Sequence, residues 1–250
     1  MVAGVVFLEI FSALRKPAAP ISDPSRKQPP ATDAPPLTLP SPNGAAGAET
    51  NTAAAVGVSP LSDAAQAAED MNRGTELFQQ RKFQQAAALY AEAVRLVPDD
   101  ETAHFNLALA LARLGRSKEA RQHYLEALRL FPEYAEAHNN LGNLLASQGQ
   151  LDQAIEHFNQ AVKAAPDSAS AHNSLGTALM TRGKAGEAFA HFSEAVRLMP
   201  DYVEAHCNLG SAYLAQGKTN EAVSEFKKAL QLKPDFAPAN LGLARAQPKP

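Results

Sequence analysis

Cysteine is nearly missing from this chain: Cys207 is the only one. An intrachain disulfide and a cysteine-rich metal site are thereby excluded, and the redox compartment stays undetermined. Charge of one sign is lacking too, with 23 basic against 26 acidic residues overall and 17 against 21 between residues 67 and 236. A protein that grips nucleic acid carries a basic excess, so no nucleic-acid partner is expected. No apolar run reaches the roughly 20 residues of a transmembrane helix. The nearest approach is Val2 to Leu14, thirteen mostly apolar residues that include Glu9 and are followed by Arg15 and Lys16. It lacks the positive leader of a signal peptide. Three readings stay open for residues 1–16: the remnant of a span cut by a start site placed too far downstream, an interfacial segment giving weak membrane association, or a disordered apolar end.

Catalytic signatures are absent as well. There is no glycine-rich phosphate loop, no HExxH and no nucleophile elbow. Ser174 lies near His172, but two residues apart on a helix they point away from each other. Carboxylates are scattered, with no pair that the sequence places across a substrate. Neither an enzyme activity nor a cofactor is expected.

What is present divides sharply. Ten of the 18 prolines precede Ala67. Residues 17–60, rich in Pro, Ala, Ser and Thr, read as a disordered linker. From Ala67 onward Ala, Leu, Glu and Gln dominate, a composition that favours helices. Prolines there stand at 98, 132, 166, 200 and 234, an unbroken i, i+34 spacing. Alanines keep the same interval at 86, 120, 154, 188 and 222, and again at 93, 127, 161, 195 and 229. Tyr90, Tyr124, Phe158, Phe192 and Phe226 form an aromatic series, and Gly74, Ala108, Gly142, Gly176 and Gly210 a small-residue series.

Each unit reads as a pair of helices. In the third, Glu136 to about Ser147 presents Leu141, Leu144 and Leu145 on one face, the segment around Gly149 breaks it, and a second helix runs from Leu151 to Ala164. Gly142 and Ala154 mark where the two helices approach closely, with Phe158 beside them. Neither helix buries its apolar side alone, so neighbouring units must stack. Ser62, just after Pro60, is placed to cap an early start of the first helix.

The pattern "AHNNLGNLLASQGQLDQAIEHFNQAVKAAPD" resembles the tetratricopeptide repeat. The resemblance implies an all-α fold, a right-handed superhelical solenoid of about five helix pairs whose first helices line a concave groove. The units span 67–100, 101–134, 135–168, 169–202 and 203–236 within a region 61–236, and residues 237–250 form a truncated sixth unit and tail. At the family's aromatic position near the start of the first helix this chain has Asp70, His104, His138, His172 and His206. His123, His157 and His191 make a second series in the second helices. Successive units are separated by about 8 to 10 Å of packed helix, too far for one metal to gather histidines from several. Structural or solvent-facing roles are expected, and no metal site.

Asn72, Asn106, Asn140, Ser174 and Asn208 recur at the same interval, each two before the small residue. The neighbouring Asn139, whose equivalents are Met71, Phe105, Asn173 and Cys207, looks incidental. An amide offers a donor and an acceptor together, matching an extended peptide backbone. In this the chain is similar to the repeat region of protein O-linked N-acetylglucosamine transferases, which implies that Asn72, Asn106, Asn140 and Asn208 are rungs contacting a peptide, with Ser174 the weak rung. Their purely structural use, holding the stack in register, stays open. Thr75, Asn143, Thr177 and Ser211, with Leu109, lie three residues further on the same side. They are mostly small and neutral, which disfavours clamping of a terminal carboxylate.

The expected function is a non-catalytic scaffold that binds a protein or extended peptide in the groove. Two alternatives are the substrate-recruiting part of a larger, membrane-associated enzyme such as a glycosyltransferase, and a module that self-associates through its C-terminal edge. A cytoplasmic and a membrane-associated location both fit.

Overall fold

The structure, a computed structural model, describes residues 62–246. The apolar segment 1–16, the linker 17–60 and residues 247–250 lie outside the described residues. Within them the chain forms five helix pairs and an eleventh helix, with no strand. The pairs are α1 (Asp63–Gln79) with α2 (Phe83–Leu96), α3 (Glu101–Arg113) with α4 (Ser117–Leu130), α5 (Ala135–Ser147) with α6 (Leu151–Ala164), α7 (Ala169–Thr181) with α8 (Ala185–Leu198), and α9 (Val203–Ala215) with α10 (Thr219–Leu232); α11 is Ala237–Ala246.

Local chemistry fixes these boundaries. Ser62 caps α1, its hydroxyl accepting from the Ala65 N–H. Asp100 does the same for α3, one carboxylate oxygen accepting from Thr102 N at 2.8 Å and Ala103 N at 3.0 Å. Such caps satisfy N–H groups that have no partner in the helix. Each second helix stops at Val97, Phe131, Ala165, Met199 or Lys233, all extended with φ between −130° and −141°. Every one precedes a proline, whose ring drives the preceding residue out of the helical region. The turns inside the pairs need a left-handed residue: Gly115, Gly149, Gly183 and Gly217 have φ between 74° and 80°. In the first pair Arg81 takes this place with φ 62°.

Each pair closes on a small residue of its first helix. A methyl group on Gly142 would sit 2.6 Å from the Phe158 ring, and one on Gly176 2.7 Å from Phe192. Tyr90, Tyr124, Phe158, Phe192 and Phe226 are essentially fully buried, as are all ten alanines of the two alanine series. The recurring residues are therefore the core itself. Every pair packs against the next, and successive first helices from α3 onward also touch one another directly. The result is a tetratricopeptide-type solenoid whose first helices run along one side.

Candidate functional site

The asparagine series lies where first helices of successive units meet, and most of it is covered. Asn106, Asn140 and Asn208 are buried, Ser174 is half-buried and Asn72 is exposed. Asn140 spends its amide N–H on its own helix, donating to Glu136 O at 2.8 Å. Asn208 donates to Asn173 Oδ1 of the preceding unit at 2.9 Å and to Thr177 Oγ1 at 3.4 Å. The carbonyl oxygens of Asn106, Asn139 and Asn140 are buried without a hydrogen-bond partner among the described residues. A buried acceptor left unpaired costs about 1 to 3 kcal/mol.

Asn139 is not incidental. It is buried, and its amide reaches Ser170 Oγ of the next unit at 3.4 Å. Asn173 occupies the equivalent position, reaching the Tyr202 hydroxyl at 3.5 Å while accepting from Asn208. In the second unit Phe105 stands there and stacks on Tyr134, ring centroids 4.8 Å apart. This position differs in residue type from unit to unit because what recurs is contact with the N-terminal end of the next first helix, made by an amide or a ring: Tyr134 is the N-cap residue of α5, Ser170 lies in the first turn of α7 and Tyr202 is the N-cap residue of α9.

The second row divides as well. Thr75 donates to Met71 O or meets the Tyr90 hydroxyl at 3.2 Å. Thr177 is buried and donates to Asn173 O, Leu109 is buried, and half-buried Ser211 donates to Cys207 O. Asn143 alone of this row is exposed. Within these two rows the open side chains are thus uncharged polar groups, chiefly Asn72, Asn143 and Ser174.

The histidines hold the feature that the sequence concealed. His104 meets His123 inside its own helix pair, Nδ1 to Nδ1 at 3.0 Å, and His138 with His157 and His172 with His191 repeat the contact. The Nε2 of each first-helix ring lies 3.0 to 3.1 Å from the carbonyl of Pro98, Pro132 or Pro166. A carbonyl only accepts, so that Nε2 carries a proton and the neutral ring offers Nδ1 as acceptor. The second-helix ring therefore donates from Nδ1. In the fifth unit Glu225 replaces the partner: His206 Nδ1 lies 2.6 Å from Glu225 Oε2, Nε2 lies 2.9 Å from Pro200 O, and Lys228 holds the other carboxylate oxygen at 2.8 Å. The constant i, i+19 offset between the two histidine series is the signal the sequence offers for this pairing.

These pairs are not shaped for a metal. With ring centroids 5.2 to 5.3 Å apart, the facing nitrogens point almost straight at each other. An ion inserted between them at ordinary bond lengths needs roughly 4 Å of separation. Among the described residues no group of three or more His, Cys, Asp or Glu converges as a metal site. Burial lowers the proton affinity of His123, His138, His157 and His191; the facing imidazole adds to this in His123, His157 and His191, while the hydrogen bond to Pro132 opposes it in His138. Cys207 is buried and its thiol is pushed up to about 12 by desolvation. Among the described residues no helix is long and apolar enough to cross a membrane.

A family model described as tetratricopeptide repeat matches residues 71–135, 114–169 and 139–203, and a second with the same description matches 203–236. No curated protein sequence matches the chain. Among solved structures, one described as YrrB, a TPR protein with an unusual peptide-binding site, is 24% identical with a TM-score of 0.58, the match covering 72% of this chain and 92% of that one. MamA from Desulfovibrio magneticus RS-1 is 23% identical with a TM-score of 0.59, covering 69% and 97%. PilF from Pseudomonas aeruginosa is 20% identical with a TM-score of 0.67, covering 72% and 82%.

Proposed function

The chain belongs to the tetratricopeptide repeat family, and from that premise we propose that it is a non-catalytic scaffold holding an extended segment of a protein partner along its first helices. One observation carries the reading: buried amide carbonyls of Asn106, Asn139 and Asn140 have no partner among the described residues. Asn139 and Asn140 share α5 with the open Asn143, Asn106 lies on α3, and the open groups Asn72 and Ser174 stand on the flanking first helices α1 and α7. An extended peptide brings a row of N–H donors, and small rotations of these amides let it satisfy them. The absence of charge along the row favours contact with backbone over contact with particular side chains. The inter-unit bonds of Asn173 and Asn208 hold neighbouring first helices in register, so much of the ordering cost of binding is met beforehand. The peptide-binding site named for YrrB belongs to that protein, and lends this reading support by likeness of fold.

The test uses exposed positions, so that the stack is left alone. Immobilised full chain and its Asn72→Lys, Asn143→Lys variant are compared for capture of proteins from a lysate, with helicity checked by circular dichroism. Proteins retained by the parent and lost by the folded variant support the reading. An identical captured set contradicts it.

A second reading, self-association at the C-terminal edge, is favoured by Leu232 and Leu241, which are 44% and 42% exposed beside or on α11. Sedimentation over a concentration range tests it, and a species that stays monomeric throughout removes it.

A further inference from the structure

We propose that the three imidazole pairs form a proton-sensitive row that loosens the second, third and fourth helix pairs, and spares the fifth, when pH falls through the histidine range. The inference goes beyond partner binding and does not depend on what the partner is.

The geometry sets a limit on protons. Each first-helix ring has committed Nε2–H to a proline carbonyl, so its Nδ1 must stay unprotonated to receive the second-helix N–H. A pair in which both rings are cations sets two N–H groups against each other at 3.0 Å, and two positive charges with them. The bond joining the two helices is then lost and replaced by repulsion. The unfolded chain has no such limit, and each of its imidazoles takes a proton near pH 6.5.

Neighbouring charges do not remove the limit. Glu119 and Glu126 face His123, and Glu126 also faces His104. Both carboxylates are held by arginines, Arg116 and Arg129 respectively. His157 is faced by Glu156 on its own helix and by Arg121 from the second helix of the preceding unit. Glu187 faces His191 and Glu194 faces His172, engaged by Lys184 and Arg197. Burial and the partner ring nevertheless leave the second-helix imidazoles harder to protonate than free histidine.

The sign follows directly. Proton affinity lowered in the folded state means that the unfolded state binds more protons below about pH 6.5, so stability is fully present above that value and is lost as pH falls below it. The fifth unit supplies the internal contrast. There His206 meets the Pro200 carbonyl and the Glu225 carboxylate, two acceptors, so the unit holds no facing pair of imidazole N–H groups to be set against each other.

The experiment measures the urea midpoint of the full chain at pH 7.5 and pH 5.5, a window above the carboxylate range. The triple variant His123→Glu, His157→Glu, His191→Glu, which copies the fifth unit three times, is measured beside it. The expected result is a lower midpoint at pH 5.5 for the natural chain and a smaller or absent loss for the variant. Equal losses in both, or no loss in the natural chain, would overturn the proposal. Should the variant not fold at pH 7.5, imidazole nitrogen shifts of the natural chain decide: protons on Nε2 of His104, His138 and His172 and on Nδ1 of His123, His157 and His191 support it, and freely averaging tautomers overturn it.

Discussion

The amide of Asn208 donates to the side-chain oxygen of Asn173, 2.9 Å away, joining first helices of successive units through two buried side chains. Each residue lies in a different series of the repeat, so the contact is diagonal across the stack. Asn173 is also reached by a turn of its own helix, its backbone carbonyl accepting from Thr177 at 2.8 Å.

Removing one partner leaves a buried polar group unpaired. Asn208→Ala and Asn173→Ala are each expected to cost about 1 to 3 kcal/mol, and the double variant less than their sum because the pair is one interaction. A double-mutant cycle from urea unfolding checks this, and strict additivity counts against a shared bond.

Close approach inside each pair makes the small residue of the first helix irreplaceable by anything branched. Gly142→Val drives atoms into the Phe158 ring, from which even a single methyl carbon would stand 2.6 Å. A loss of about 1 to 3 kcal/mol is expected. Phe158→Ala, which empties a fully enclosed site, is expected to cost about 3 to 5 kcal/mol. Thermal unfolding followed by circular dichroism reads both.

Arg81 holds a left-handed conformation that glycine holds in the next four units. The side chain adds steric strain of about 1 to 2 kcal/mol relative to glycine in that region, partly offset by the greater freedom glycine has when unfolded. Arg81→Gly is therefore expected to stabilise the chain by up to about 1 kcal/mol, read as a rise in the unfolding midpoint.

Much of this architecture is written in the repeat interval. Prolines, alanines, aromatics and glycines recur because each meets the same neighbour in every unit, and the limits of α6 at Leu151 and Ala164 follow from the pattern alone. Two features escape a reading by letter because they recur only in role. Asn139 looks incidental beside Phe105 and Cys207, yet Phe105 and Asn139 both reach the start of the next first helix, one by a ring and the other by an amide. The two histidine series are visible, but their pairing depends on how the helices of one unit are phased across their turn. The asparagine series is legible as a repeat, whereas its burial depends on how closely successive first helices pack.

Cys207 tests that packing from within. Its sulfur is buried and the thiol is held at about 12 by desolvation, so the reactive thiolate is scarce at pH 8. Labelling by a thiol reagent is expected to be slow in the folded chain and fast in urea. Rapid labelling without denaturant would show that the packing of α9 against α10 and α11, where Cys207 clusters with Phe226, Phe236 and Ala239, opens freely.

The most direct test of the scaffold reading maps which side of the stack a captured partner touches. A photo-crosslinking residue is placed at Asn143, exposed on a first helix, and in a separate chain at Gln160, exposed on the second helix of the same unit. The account predicts that partner proteins crosslink from position 143 and not from position 160. Crosslinking from position 160 alone would contradict it and move the binding surface to the second helices.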